Sequence, residues 1–129
     1  MKNVLILVLC LLSYQGFSQT TSNHQEMTNE YLLHSKFTAK SGFADDLANI
    51  LIEASKLVST IKGCKLYVVS RAKNNPNSIF VTEIWDNKED HDNSLKAEGV
   101  RELIMKAMPM IDEQPKKEHE LEILGGTGI

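Results

Sequence analysis

The chain has 129 residues, 42% hydrophobic, 24% charged and 6% aromatic, a composition that fits one ordinary globular domain and leaves no room for two. Fourteen Lys plus Arg against seventeen Asp plus Glu give a formal net charge of -3, so no broad cationic field is present to hold nucleic acid or an anionic membrane. Two cysteines permit at most one disulfide, and no Cys-x-x-Cys or His-x-x-x-His pair offers the spacing of a structural zinc site.

Residues 1–18 read as a secretory signal peptide. Lys2 supplies a positive start, Val4 to Leu12 is an unbroken apolar run, and Gly16-Phe17-Ser18 is a small-x-small site with cleavage expected after Ser18. The run is too short to cross a hydrocarbon core of about 30 Å as a helix. Cys10 sits inside the run, after Leu9 and before Leu11-Leu12, which does not fit a lipoprotein site. The expected mature chain is periplasmic or secreted, has no membrane attachment, and keeps Cys64 as its only thiol, so it forms no intrachain disulfide.

Residues 19–30 are polar and read as a flexible leader, 31–124 as the folded domain, and 125–129, with Gly125, Gly126 and Gly128, as a loose tail. In Tyr31 to Thr38, Leu33 and Phe37 share one face and His34 and Lys36 the other, which predicts a half-buried strand. Ser41-Gly42 breaks it. Asp45 and Asp46 then open a helix in which Leu47, Ile50, Leu51, Ala54, Leu57, Val58 and Ile61 recur at three and four, and Lys62-Gly63 closes it. Cys64 to Ala72 and Ser78 to Asp86 read as strands around the turn cluster 73–77, an antiparallel hairpin. Asn87 can cap the next helix, whose interrupted stripe runs from Leu95 to Ile111, with Gly99 expected to divide it. His119 to Leu124 alternates as a fourth strand.

Strand, helix, strand, strand, helix, strand is the order of a ferredoxin-like α+β domain: a four-stranded antiparallel sheet with helices on one face. The other face has no cover within the chain. Such a face is usually hidden against a second copy, so a homodimer is expected, with Tyr67, Val69, Val81 and Trp85 as candidates for the shared surface.

Several residues carry a resemblance. Lys40-Ser41-Gly42, Lys62-Gly63-Cys64, Tyr67, Phe80, Thr82-Glu83-Ile84-Trp85-Asp86-Asn87 and Met108-Pro109-Met110-Ile111, in that order, look like an antibiotic biosynthesis monooxygenase (ABM) domain. That group includes small quinol monooxygenases, and the resemblance spans about Tyr31 to Leu124. It implies a ferredoxin-like dimeric α/β barrel that, as in some members, oxygenates a phenolic or quinol-type small molecule with dioxygen, with no cofactor and no metal. An Asn, a Trp, a Tyr and an Arg are implicated in the best-known members. Here Trp85 matches the Trp, while Val81, His91 and Met105 stand near the other three. A haem-degrading branch of the same superfamily uses Asn, Trp and His where this chain has Ser35, Ser94 and Ile104, so haem chemistry is not expected.

His91 and His34 are candidate proton acceptors and Trp85 a candidate catalytic contact; Tyr67, Trp85, Met105 and Met108 are candidate substrate-binding residues. Each also has a plain role: His91 among Glu89, Asp90 and Asp92 as a surface helix start, Trp85 and Tyr67 as packing, the methionines as gap fillers. Glu83 is expected to pair with Arg71 or Lys65 on the adjacent strand, and Cys64 to be a small buried hydrophobe. The acidic stretch from Asp86 to Asp92 fits no calcium loop, because Lys88 and His91 stand where an oxygen ligand and a glycine are needed, and a register from Asp90 puts Leu95 at the glycine. A non-enzymatic module holding a small hydrophobic ligand is the alternative reading.

Overall fold

Alternation builds the first strand, β1 (Tyr31–Thr38): Tyr31, Leu33 and Ser35 are buried, while Leu32, His34 and Lys36 are half-buried. The computed structural model describes residues 29–128, so the signal peptide read at 1–18 and nearly all of the leader lie outside the described residues. Gly42, whose φ of 85° suits glycine, turns the chain into α1 (Ala44–Val58). Asp45 and Asp46 sit in its first turn and Lys56 in its last, and Leu47, Leu51, Ala54 and Val58 face inward. The helix stops before Ile61 because the Ser59 and Thr60 hydroxyls donate to the carbonyls of Lys56 and Leu57, 2.8 and 2.7 Å away.

Gly63 (φ 86°) then reverses the chain into β2 (Cys64–Ala72). A Cβ at Gly63 would lie 2.4 Å from Oδ2 of Asp90, so no larger residue fits there without movement. The hairpin to β3 (Asn75–Trp85) is tighter than the sequence implied, since Ala72 already pairs with Asn75. Asn87 caps α2 (Lys88–Ser94), its Oδ1 accepting the Asp90 N–H at 2.8 Å. The break before α3 (Glu98–Ala107) falls at 95–97 rather than at Gly99. Gly99 lies in the first turn of α3, where its missing Cβ lets Leu57 Cδ1 approach to 3.1 Å of the position that atom would take. A 3₁₀ turn (Met108–Met110) leads to β4 (Lys116–Leu121), displaced toward the N-terminus from the strand expected at His119 to Leu124.

The sheet order is β2-β3-β1-β4 with every neighbour antiparallel, the ferredoxin-like α+β arrangement. The end of β1 is tied to the end of the helical layer: Lys40 N–H donates to the Met110 carbonyl and Asp112 N–H to the Thr38 carbonyl, both at 2.8 Å. Leu47, Leu51, Ile79, Val81, Ala107 and Ile111 pack between sheet and helices, and Tyr31, Leu33, Val58 and Trp85 form a second cluster beside them. Val81 and Trp85 are fully buried there, and Tyr67 and Val69 pack against the same core. These four therefore belong to the helix-covered face. The apolar run Ile79 to Trp85 had concealed the strand's phase, and the open face carries Leu66, Val68, Phe80, Thr82 and Ile84 instead.

Candidate functional site

Strand register sets one polar group at the centre of the covered face. Leu33 and Tyr67 lie on either side of Glu83, and Tyr31 is paired with Trp85 in the next inward-facing row. Glu83 is only 9% exposed, and its Oε2 accepts the Trp85 Nε1–H at 2.9 Å. The capped start of α2 turns His91 inward, where it is 3% exposed rather than solvated as its acidic neighbours implied. His91 Nε2 lies 3.9 Å from Glu83 Oε2, and Nδ1 lies 3.0 Å from Asp92 Oδ1. The Tyr31 ring tilts over the imidazole at 5.3 Å and the Trp85 indole meets it edge-on at 5.8 Å.

The electrostatics follow from burial. Removal from water pushes the Glu83 carboxyl above the ordinary glutamate range, opposed by the Trp85 hydrogen bond and by His91 and Lys117. The Tyr67 phenol is raised well above its usual value by burial, then by Glu83 and Cys64, so it stays a hydroxyl donor. Burial, and then Glu83, raise the Cys64 thiol as well. Asp92, at the surface, is held down to about 2 by its hydrogen bonds from Lys88 and with His91.

A cavity of about 120 Å³ lies between the sheet, α1 and α3. Phe37, Leu51, Ala54, Val58, Leu103 and Ala107 are among its apolar walls, and Tyr67, Glu83 and Ser94 are its polar groups. It reaches the surface beside Leu95, Ile104 and Met108, side chains that line it and are also exposed. Among the predicted residues, Tyr67 and Met108 line the cavity, and Trp85 and His91 stand behind its wall against Glu83. Met105 is 69% exposed on the outer side of α3, beside Arg101 and Glu102. His34 is on the opposite sheet face, stacked on Phe80 at 5.3 Å with Nδ1 3.0 Å from Thr82 Oγ1, so the sheet separates it from the cavity.

Glu83 is the buried polar group that the sequence reading did not place in the candidate site. Its expected partners are engaged elsewhere: Arg71 with Asp45, and Lys65 with Glu30 and Asp86. A signal was present, because Ile79, Val81, Glu83 and Trp85 share one strand face and a carboxylate in such a stripe must be buried. Among the described residues, no cluster of three or more His, Cys, Asp or Glu is placed to hold a metal ion, and no helix is long and apolar enough to span a membrane.

The antiparallel sheet, its helices and a small, largely apolar cavity with one buried carboxyl define a ferredoxin-like α+β domain with an enclosed chamber. The family model of the antibiotic biosynthesis monooxygenases matches residues 31–105, and the chain belongs to that family. A Chloroflexus aurantiacus J-10-fl structure assigned to the same family is 35% identical, covers 78% of this chain and 98% of its own, and superposes with a TM-score of 0.68. The fold is shared at 11% identity with a Nitrosomonas europaea protein of the same assignment (78% and 96% covered, TM-score 0.72). It is shared, also at 11% identity, with a variant of SnoaB, a cofactor-independent oxygenase from Streptomyces nogalater (68% and 89% covered, TM-score 0.61). Comparison with curated proteins gives no match.

Proposed function

We propose that this chain is a cofactor-independent monooxygenase that places one atom of dioxygen on a phenolic or quinol-type small molecule held in the cavity. The observation that carries this reading is the buried carboxyl of Glu83, facing a largely apolar chamber whose other polar groups are Ser94 and a Tyr67 hydroxyl that stays protonated. A site built only to hold a hydrophobe gains nothing from a desolvated carboxylate. Ground-state dioxygen reacts slowly with closed-shell molecules, but a phenolate can give it one electron. Removing the phenol proton is thus the step the protein must promote.

The balance closes without an external reductant. Phenolate and dioxygen become phenoxyl and superoxide, which join through a carbon–oxygen bond at the ring. The peroxide takes up a proton, the ring carbon loses its hydrogen, and the oxygen–oxygen bond breaks to release water. A phenol yields a quinone, and a quinol yields a hydroxyquinone. The apolar walls keep water from the charged and radical species, and the Tyr67 O–H can donate to the substrate oxygen. An apolar cavity of about 150 Å³ takes one benzene ring, so 120 Å³ holds about one aromatic ring, with the remainder of a larger molecule at the mouth beside Leu95, Ile104 and Met108.

The second reading, a non-enzymatic binding module, is favoured by a specific observation. The positions that the family resemblance assigns to Asn and Arg carry Val81, sealed in the core, and Met105, exposed on α3. Oxygen uptake with a reduced naphthoquinone, an anthrol and a single-ring hydroquinone separates the two. An enzyme consumes one dioxygen per substrate at a rate proportional to protein, and catalase returns no oxygen because the second atom leaves as water. Saturable quenching of Trp85, the sole tryptophan, with no uptake identifies a binder and overturns the enzymatic reading. The proposal includes a homodimer paired through the open sheet face, and export after cleavage at Ser18, for which the sequence of residues 1–18 is the support.

A further inference from the structure

We infer that Glu83, His91 and Asp92 form a proton path that starts at the cavity wall, crosses the buried layer behind it and ends at the surface. The path rests on the reading above only for the source of the proton, the hydroxyl of the bound phenol. Its three members are aligned by atoms that can each do one thing. Glu83 lines the cavity and is 9% exposed. The Trp85 indole, a donor only, occupies Oε2 at 2.9 Å and so fixes the carboxyl plane. His91 Nε2 stands 3.9 Å from that same oxygen, longer than a hydrogen bond and a gap of the kind that tightens when substrate is bound.

The far side of the ring sets the direction. Asp92 is ionised at any ordinary pH, since its carboxyl is held down to about 2, and an ionised carboxylate only accepts. The 3.0 Å contact therefore puts a proton on His91 Nδ1 and leaves Nε2 of the neutral ring as an acceptor aimed at Glu83. A proton arriving on Glu83 can pass to Nε2 while the Nδ1 proton is released toward Asp92, which is at the surface and also bonded to Lys88. No bond but O–H and N–H is made or broken. The phenol O–H becomes a Glu83 O–H, then an imidazolium N–H, then a proton in water; the proton that the peroxide later takes up comes back from Nε2 through Glu83 while Nδ1 is reprotonated from the surface, which restores the starting tautomer.

Other groups around Glu83 are placed to support this rather than compete. Tyr67 and Cys64 from β2 are both held protonated, Lys117 from β4 contributes positive charge, and the Tyr31 ring from β1 covers the imidazole. The cavity linings from α1 and α3 are apolar. Burial leaves the Glu83 carboxyl with a raised affinity for a proton, as a base for a weakly acidic phenol requires. Glu83 is thus the catalytic residue, Trp85 a positioning residue, and His91 with Asp92 the exit.

Two measurements on the full folded protein test the path. The first needs no substrate: Trp85 fluorescence, with the ring ¹⁵N shifts of His91, is followed across pH. The path predicts a Trp85 titration with a midpoint above the ordinary glutamate value of about 4.3, abolished in Glu83→Gln and displaced in Asp92→Asn, with the His91 Nδ1 proton exchanging at least tenfold more slowly in Asp92→Asn. No Glu83-dependent titration, or exchange unchanged in Asp92→Asn, overturns it. The second is turnover. His91→Ala should lower kcat by about 100-fold with KM nearly unchanged, and added imidazole should restore at least tenfold of it, which a merely structural histidine would not permit. Loss without rescue overturns the path. Absence of oxygen uptake by the parent protein overturns the monooxygenase reading, while the substrate-free titration still decides the path.

Discussion

A carboxyl in an apolar wall costs stability, and Glu83 shows in which pH window. Its folded-state pKa lies above the unfolded value of about 4.3, so the folded chain keeps a proton that the unfolded chain has released. Stability contributed by Glu83 is fully present below that unfolded value and is lost as pH rises through the folded one. Glu83→Gln keeps an oxygen for the Trp85 indole and carries no charge. Chemical denaturation at pH 4 and pH 8 should show the variant level with the parent at pH 4 and more stable at pH 8, as expected where a site trades stability for chemistry. A variant less stable than the parent at pH 8 would count against an unfavourable buried charge. The residues in this cluster were legible to different degrees. Trp85 and His91 carry chemistry on their faces and were singled out from sequence. Glu83 was read as a pairing residue because its true neighbour, His91, comes from beyond a turn whose geometry no periodicity records. His34 and Met105 were singled out for residue type alone, and side-chain direction sends both away from the cavity.

At the scale of elements, the short helix α2 decides where His91 points. Seven residues are too few to be stable by propensity, so the helix depends on its first turn. Asn87 accepts the Asp90 N–H at 2.8 Å and its own Nδ2 donates to Asp90 Oδ2 at 3.0 Å, and Gly63 leaves the space that the Asp90 side chain fills. Asn87→Ala should cost about 1 kcal/mol in a denaturant titration, and the His91 ring resonances should broaden or shift relative to the parent. Unchanged stability and unchanged His91 signals would remove the cap from this role. The elements whose signals are local were legible: α1 from its three-and-four spacing, β1 from alternation, the Asn87 cap from residue type. The failures have a shared cause in tertiary contact. Gly99 looked like a breaker but serves the approach of Leu57 across α1 and α3, and β3 is apolar on both faces, so its phase was settled only by what packs against it.

For the whole molecule the open sheet face is the remaining question of burial. Leu32, Ile84 and Leu66 form one apolar row across β1, β3 and β2, in which Ile84 is only 3% exposed while Leu32 and Leu66 are half-buried, and the next outward-facing row is His34, Thr82 and Val68. Val68 is 44% exposed, near the middle of β2, with no helix over it among the described residues. A sheet of four strands about 4.8 Å apart, the shortest of 6 residues and the longest of 11, presents a face roughly 20 Å wide and at least about 20 Å long, and a two-fold pairing of such faces sets each row against its own copy or a neighbouring one. Val68→Lys then brings two charges, one per subunit, into a desolvated layer with no carboxylate among Leu32, Leu66, Thr82 and Ile84 around it. The change leaves the cavity untouched, because Val68 and Glu83 occupy opposite faces. Sedimentation at micromolar concentration should find the parent protein dimeric and the Val68→Lys variant shifted toward monomer, with dimer affinity reduced by at least tenfold and the Trp85 environment unchanged by fluorescence. A parent protein that sediments as a monomer, or a variant that dimerises as tightly as the parent, would place the partner surface elsewhere.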